Sequence, residues 1–304
     1  METIHKNILS LIGNTPIVEI NKLTSLNDAK IYAKLEWYNI GGSVKDRMAF
    51  YLIEDAEKKG ILTKEKTILE ASSGNTGISL AMIAAMKGYK VKIIMSESVS
   101  IERRKIIKAY GAKLVLSSGE KGTAGAVELK EKMVKEGKEK YIDLNQFKNP
   151  ANIRAHYETT GKEIFKQTDG MVDMVVIGIG TAGTGVGVSL KLKELKKEIK
   201  TIGVMPEIGA SIQGLRNPKE NFPTQLCQEN QFDEMIEISK KEIRNIKKIG
   251  IGLARKEGLF AGISSAAVMY VAMQKAKEIG KGKIIVVILP DSGTKYLSTD
   301  FFSN

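Results

Sequence analysis

The stretch VVIGIGTAGTGVG, residues 175–187, carries an apolar β-branched run into glycines spaced as GxGxxG and then into a helical pattern. Val175, Val176 and Ile177 predict a buried strand, and Gly178, Gly180 and Gly183 predict a tight turn before a helix. A strand–turn–helix unit of this kind is the building block of a doubly wound fold, and its first expectation is a dinucleotide pyrophosphate at the helix N-terminus. Glu207 ends the next apolar run, TIGVMPE, about 20 residues on, where a ribose-binding carboxylate stands in such units. The motif alone does not decide, because any close strand-to-helix turn uses glycine and a turn without a ligand fits as well.

The same rhythm recurs on both sides. TILEA precedes TGISLAMIAAMKG, VKIIM precedes SIERRKIIKAYG, and KLVLS precedes GAVELKEKMVKEG; later DMVVIGI, TIGVM and KIIVVIL each lie beside a helix-like stretch. Near-continuous apolar strands alternating with helices predict an α/β protein of two doubly wound domains with mainly parallel sheets, covered on both faces. Asn and Pro in NQFKNPAN, residues 145–152, interrupt the pattern and mark the seam between domains. A cleft between two α/β domains is a frequent place for a small-molecule site.

Composition narrows the function classes. The 304 residues are 42% hydrophobic and 27% charged, with a formal net charge of +12. The excess lysines alternate with glutamates, as in KLKELKKEIK, and lack interleaved aromatic platforms, which predicts a solvated basic surface rather than nucleic-acid binding. Residues 191–198 read as a solvated helix face. The single cysteine, Cys227, excludes an internal disulfide and any CxxC metal or redox pair, and reads as a partly buried small apolar residue. METIHKNILSLIGNTP has neither the core nor the exit of a signal peptide, and no segment is long enough to span a bilayer. A cytoplasmic protein without membrane association is expected. His5 and His156 have no metal-ligand or triad partners among the motifs, no metal site is predicted, and no serine lies in a GxSxG elbow.

The glycine-rich turn has company. In LEASSGNTGISLAM a strand leads through Ser72, Ser73, Gly74, Asn75, Thr76 and Gly77 into a helix, so that hydroxyls and free N–H groups converge where a carboxylate or phosphate would bind. In GGSVKDRMAFYLIEDAEKKG the glycines lead into a helix whose first turn carries Lys45. The helix dipole disfavours an ammonium there and tolerates a neutral, nucleophilic amine. A lysine beside two anion-binding loops points to Schiff-base chemistry with a phosphorylated aldehyde, pyridoxal phosphate.

IGNTPIVEI, GGSVKDR, SSGNTGISLAM, ERRKIIKAYGAKLVL, QFKNPANIRAHYETTGKEI, GIGTAGTGVG, LFAGISSAA and VVILPDSGTKYLST, in that order from about Ile12 to Thr299, resemble the cysteine synthase (O-acetylserine sulfhydrylase) family, relatives of cystathionine β-synthase. The resemblance implies the tryptophan synthase β-like architecture of fold-type II pyridoxal-phosphate enzymes. It places a smaller mobile domain at residues 40–145 and a larger domain, carrying the phosphate loop, at 1–39 and 146–304. Gly180, Thr181, Ala182, Gly183 and Thr184 would hold the cofactor phosphate, which answers the dinucleotide question and leaves Glu207 an ordinary strand-end residue. Lys45 matches the lysine that binds the cofactor aldehyde and moves the substrate Cα proton. Asn75 matches the asparagine beside the ring hydroxyl, and Ser264 the serine facing the pyridine nitrogen. Ser72, Ser73, Thr76 and Gln146 match the groups that hold the substrate carboxylate.

The implied reaction is a β-replacement, O-acetyl-L-serine plus sulfide giving L-cysteine and acetate. Two departures bear on it: Ala182 and Ala266 stand where the family shows glycine, and GASIQGLRNPKENFPTQLCQEN replaces the usual glycine-rich segment. Its LRN element resembles the branch that uses O-phosphoserine, in which an arginine at the position of Arg216 meets the phosphate. L-Cysteine as donor, releasing hydrogen sulfide with serine or lanthionine as product, stays open. The resemblance also implies a homodimer and a serine acetyltransferase as possible partner. Outside this class, an NAD-dependent oxidoreductase accounts only for the fingerprint and Glu207.

Overall fold

A computed structural model describes residues 4–72, 74–219 and 224–303. Strands β1 (Ile17–Ile20), β2 (Lys30–Leu35), β7 (Met174–Gly178), β8 (Lys200–Pro206), β9 (Glu234–Ile238) and β10 (Ile284–Leu289) form one sheet in the order β1-β2-β10-β7-β8-β9. Strands β3 (Thr67–Ala71), β4 (Lys90–Ser96), β5 (Lys113–Ser117) and β6 (Tyr141–Ile142) form a second, in the order β5-β4-β3-β6. Every neighbouring pair is parallel except β1 with β2. The protein is therefore α/β with mainly parallel sheets.

Helices α1 (Lys45–Lys58), α2 (Asn75–Lys87), α3 (Ile101–Ala109) and α4 (Gly122–Glu136) accompany the smaller sheet. Helices α5 (Ala151–Ala155), α6 (Gly161–Gln167), α7 (Gly183–Leu195), α8 (Ile243–Glu257) and α9 (Ile263–Ile279) accompany the larger. Side chains alternate across each sheet, so successive strand residues enter different cores. Ile68 and Ile93 pack with Leu52, Ile53 and Ile83 of α1 and α2, while Leu69 and Ile94 pack with Ala126 and Val127 of α4. In the larger sheet Val176 and Val287 meet Val268 and Ala272 of α9, while Val175 and Val286 meet Val188 and Leu192 of α7. Burying each such side chain is worth about 1.5–3 kcal/mol, which is why these strands read as unbroken apolar runs.

The six strands expected from apolar runs form. Four others, β1, β2, β6 and β9, were not anticipated, because their sequences are short or carry charges. Lys34 makes β2 look half-exposed, yet its side chain is wholly buried beside Glu163 at 2.8 Å. On the helix face expected to be solvated, Glu194, Lys197 and Glu198 are exposed, but Lys191 is buried, its stem against Gly161 and its ammonium 3.9 Å from the centre of the Tyr157 ring. Long side chains cover apolar surface in this way. Residues 145–152 run from the loop after β6 into the first turn of α5 as a hydrogen-bonded corner, with Asn149 Oδ1 accepting the Ala151 N–H at 3.0 Å. Among the described residues no helix is long and apolar enough to cross a membrane.

Candidate active site

A cleft of about 440 Å³ opens at the C-terminal ends of the parallel strands of both sheets, where open α/β sheets bind ligands. Lys45, Ser72, Asn75, Thr76, Gln146, Gly180, Thr181, Ala182, Thr184, Arg216 and Ser264 all line it, although they come from opposite ends of the chain. Gly183 does not: a Cβ there would lie 2.0 Å from Asn152 Oδ1, so this glycine permits close packing behind the loop. Ser73 lies outside the described residues.

Lys45 opens α1, and the approach to it is pinned to the larger sheet. The Val44 N–H donates to the Pro290 carbonyl at 2.9 Å and Ser43 bridges Asp291, just past the end of β10. The Lys45 ammonium has no hydrogen-bond acceptor among the described residues. Desolvation pushes its pKa below the ordinary lysine value, against the opposing pull of Asp291 and Glu36. That is the electrostatic setting of a lysine that works as a neutral amine.

Two adjacent residues hold this turn by different means. Asp46 Oδ2 accepts the Gly41 N–H at 2.6 Å and Oδ1 accepts the Ser79 hydroxyl at 2.5 Å; burial raises its pKa to about 6 despite these bonds. Arg47 donates to Glu36, Glu163 and Thr15 at 2.6–3.1 Å. Burial alone would raise Glu36, but the charge and hydrogen bonds of Arg47, with Lys34, hold its carboxyl down at about 2.

After β3, Ser72 Oγ accepts the N–H groups of Gly74 and Gly77 at 3.0 Å, which closes the loop on itself. Gly74 has φ +145°, and a Cβ on it would lie 2.1 Å from Cδ of Arg103, whose side chain lies along the loop. Thr76 donates to Gln146 Oε1 at 2.7 Å, and Gln146 Nε2 donates to the Ala71 carbonyl at 3.0 Å. Gln146 and Phe147 thus supply a wall of the cleft.

At the start of α7 the N–H groups of Gly180, Thr181 and Ala182 have no acceptor among the described residues, three donors beside the orphan N–H groups of a helix N-terminus. Ala182 adopts φ +67°, a left-handed conformation that costs a residue with Cβ about 1 kcal/mol. Behind the loop, Thr184 Oγ1 lies 3.2 Å from His156 Nε2. Burial first, then the charges of Arg47 and Lys45, depress His156 to about 3, so it is a neutral partner of the loop. Ser264 is buried in the first turn of α9, and Arg216 stacks 4.9 Å from the Phe147 ring centre. Glu207 Oε1 accepts the Lys240 N–H at 2.8 Å, a strand-end contact.

Sequence reasoning assigned no role to Asp291, Lys295 or Arg103. Asn75 Nδ2 donates to Asp291 Oδ2 at 2.7 Å, and Asn75 Oδ1 accepts from Lys295 Nζ at 3.1 Å. Arg103 donates to Gln213 Oε1 at 3.1 Å and stacks 4.4 Å from the Tyr296 ring centre. The available signal was charge placed directly after an apolar strand, in VVILPDSGTKY.

Residues 8–291 match the family described as pyridoxal-phosphate dependent enzyme. The chain is 41% identical to cysteine synthase of Staphylococcus aureus over 307 residues, covering 98% of this chain and 97% of that protein. It superposes on the crystal structure of cysteine synthase (OASS) from Entamoeba histolytica with a TM-score of 0.91 at 40% identity, covering 100% of this chain and 92% of that one. A hydrogen sulfide-producing enzyme from Fusobacterium nucleatum gives 0.88 at 39% identity, covering 97% and 100%. These likenesses span both sheets and the whole cleft, and they displace the dinucleotide reading of Gly178–Gly183: the chain belongs to the pyridoxal-phosphate-dependent enzyme family.

Proposed function

We propose that this protein is a pyridoxal-phosphate-dependent β-replacement enzyme of the cysteine synthase type, joining O-acetyl-L-serine and sulfide to give L-cysteine and acetate. The observation that carries the reading is the convergence on one cleft of a desolvated lysine, Lys45, and the N–H groups of Gly180, Thr181 and Ala182, which have no acceptor among the described residues. The residues fit the cofactor: three N–H donors at a helix N-terminus suit a phosphate dianion, and an ammonium without an acceptor suits attachment to an aldehyde. The cofactor, when bound, supplies the electron sink that makes the substrate's α C–H acidic and its β substituent easy to expel.

In this reading Gly180, Thr181, Ala182 and Thr184 anchor the phosphate, with Gly183 packed behind them, and Ser264 offers a neutral hydroxyl to the pyridine nitrogen. A hydroxyl stabilises positive charge there less than a carboxylate does, which favours rapid β-elimination. Ser72, Ser73, Thr76 and Gln146 hold the substrate carboxylate, and Lys45 Nζ takes the proton from Cα. Residues 40–145 close over the substrate as a unit against 1–39 and 146–304; the separate apolar cores of the two sheets support this division. A homodimer in the cytoplasm, with serine acetyltransferase as a partner, belongs to the same reading and rests on kinship.

The donor has two further candidates. Arg216 in the cleft wall supports an anionic leaving group, the phosphate of O-phosphoserine. Likeness to a hydrogen sulfide-producing enzyme supports L-cysteine as donor, releasing sulfide and giving serine or lanthionine.

The test is the visible spectrum of the purified protein with pyridoxal phosphate, followed on adding O-acetylserine, O-phosphoserine or L-cysteine in separate cuvettes. A yellow protein whose band shifts with one donor identifies cofactor and substrate together. Lys45→Ala is expected to lose turnover and covalent cofactor retention while staying folded; wild-type turnover in that variant would sink the assignment.

A further inference from the structure

Asn75 carries a side-chain amide gripped at its two ends by opposite charges. Its Nδ2 donates to Asp291 Oδ2 at 2.7 Å and its Oδ1 accepts from Lys295 Nζ at 3.1 Å. A carboxylate only accepts and an ammonium only donates, so the flipped amide would set acceptor against acceptor and donor against donor. Charge therefore dictates the orientation.

Both charges are themselves fixed from the far end of the chain. Asp291 is fully buried; its Oδ2 also receives the Tyr296 hydroxyl at 2.8 Å and lies 3.9 Å from Arg103. Lys295 donates to the Gly42 and Gly41 carbonyls at 2.8 and 3.3 Å, in the turn that leads into Lys45. Asp46 and Arg103 are the other charges felt by Lys295, and Asp291 is the carboxylate felt most strongly by Lys45.

We propose that Asp291 and Lys295 are positioning residues that hold the Asn75 amide with its second N–H free to donate into the cleft, so that Asn75 stabilises an ionised oxygen on the cofactor ring. This rests on the reading that Asn75 faces the ring hydroxyl. Lys295 engages the amide oxygen and weakens it as an acceptor, while Asp291 polarises the NH₂ group as a donor. A hydrogen bond given to the charged form of a group favours that form. The outcome is a bound cofactor kept in its visible-absorbing form.

The experiment is a spectrophotometric pH titration of the full-length protein with pyridoxal phosphate, together with the dissociation constant of the cofactor. In Asp291→Asn the acceptor-only partner becomes one that fits either amide orientation. The ratio of visible to near-ultraviolet absorbance at neutral pH is expected to fall about tenfold, the equivalent of one pKa unit, and cofactor binding to weaken about tenfold. Lys295→Met should move both readings in the same direction, and it decides the matter if Asp291→Asn does not fold. Tyr296→Phe removes another donor to Asp291 Oδ2 without touching Asn75, and should keep the wild-type ratio to within about twofold. Wild-type ratio and affinity in Asp291→Asn and Lys295→Met, with only a lower melting temperature, would overturn the proposal; so would Tyr296→Phe matching their spectral loss. A wild-type protein that stays colourless with pyridoxal phosphate overturns the cofactor reading itself, a distinguishable failure.

Discussion

Asp46 and Arg47 are neighbours in sequence, both buried in the first turn of α1, and they are treated in opposite ways. Arg47 is surrounded by the carboxylates of Glu36 and Glu163 and by Thr15, and the two acids are held down at about 2. Asp46 is pushed up to about 6 by burial, which its neutral donors among the described residues, Gly41 and Ser79, only partly offset. The paired side joins α1 to the turn after β2 and to α6, and its Glu36 is felt at Lys45 less than Asp291 is. The under-paired side is next to Lys45 in the chain and within electrostatic reach of Lys295, and the Ser79 hydroxyl that donates to it also lies 3.0 Å from the Asn75 carbonyl. Complete pairing makes an anchor, whereas incomplete pairing leaves electrostatic sensitivity beside the reacting groups.

The largest effect should come from breaking the anchor. Arg47→Met leaves Glu36 buried without its counter-charge and is expected to cost about 3–5 kcal/mol in urea unfolding. A loss below about 1 kcal/mol would make the two sides alike.

The next test separates them by pH. Glu36 is depressed from 4.5 to about 2, so its stabilisation is present above 4.5 and is lost as the pH falls towards 2. Asp46 is raised from 3.8 to about 6, so its contribution is full below 3.8 and is lost as the pH rises through 6. Asp46→Asn should therefore gain on wild type in melting temperature as the pH rises from about 4 to about 6. A constant difference across that range would remove the contrast.

The smallest test concerns strain without charge. Ala182→Gly relieves φ +67° and should stabilise the protein by about 1 kcal/mol at neutral pH, read in the same denaturation assay. No gain would mean that the loop already accommodates the Cβ at no cost.

What the sequence made legible divides along similar lines. Apolar β-branched runs such as KIIVVIL reveal a buried parallel strand because both faces demand the same chemistry. The loops after TILEA and DMVVIGI stood out because glycines and hydroxyls gather at a helix start, but either one alone fits a ligand-free turn, and it was their company and the resemblance that pointed to an anion. Lys34, Glu36 and Arg47 did not stand out, because a charged residue looks solvated until its partner is known, and Arg47 and Glu163 are 116 positions apart. Asn75 was found by likeness, but the groups that orient it stand more than 200 residues away, with no local pattern to announce them.

Gly74 bears on how variants of this site should be interpreted. With no room for a methyl group between the loop and Arg103, a Gly74→Ala change is in effect an arginine displacement, since the guanidinium must leave Gln213 and Tyr296 before the new atom fits. A substitution in the smallest residue of the loop would thus report on two things at once, the loop backbone's need for φ +145° and a cation carried by another helix.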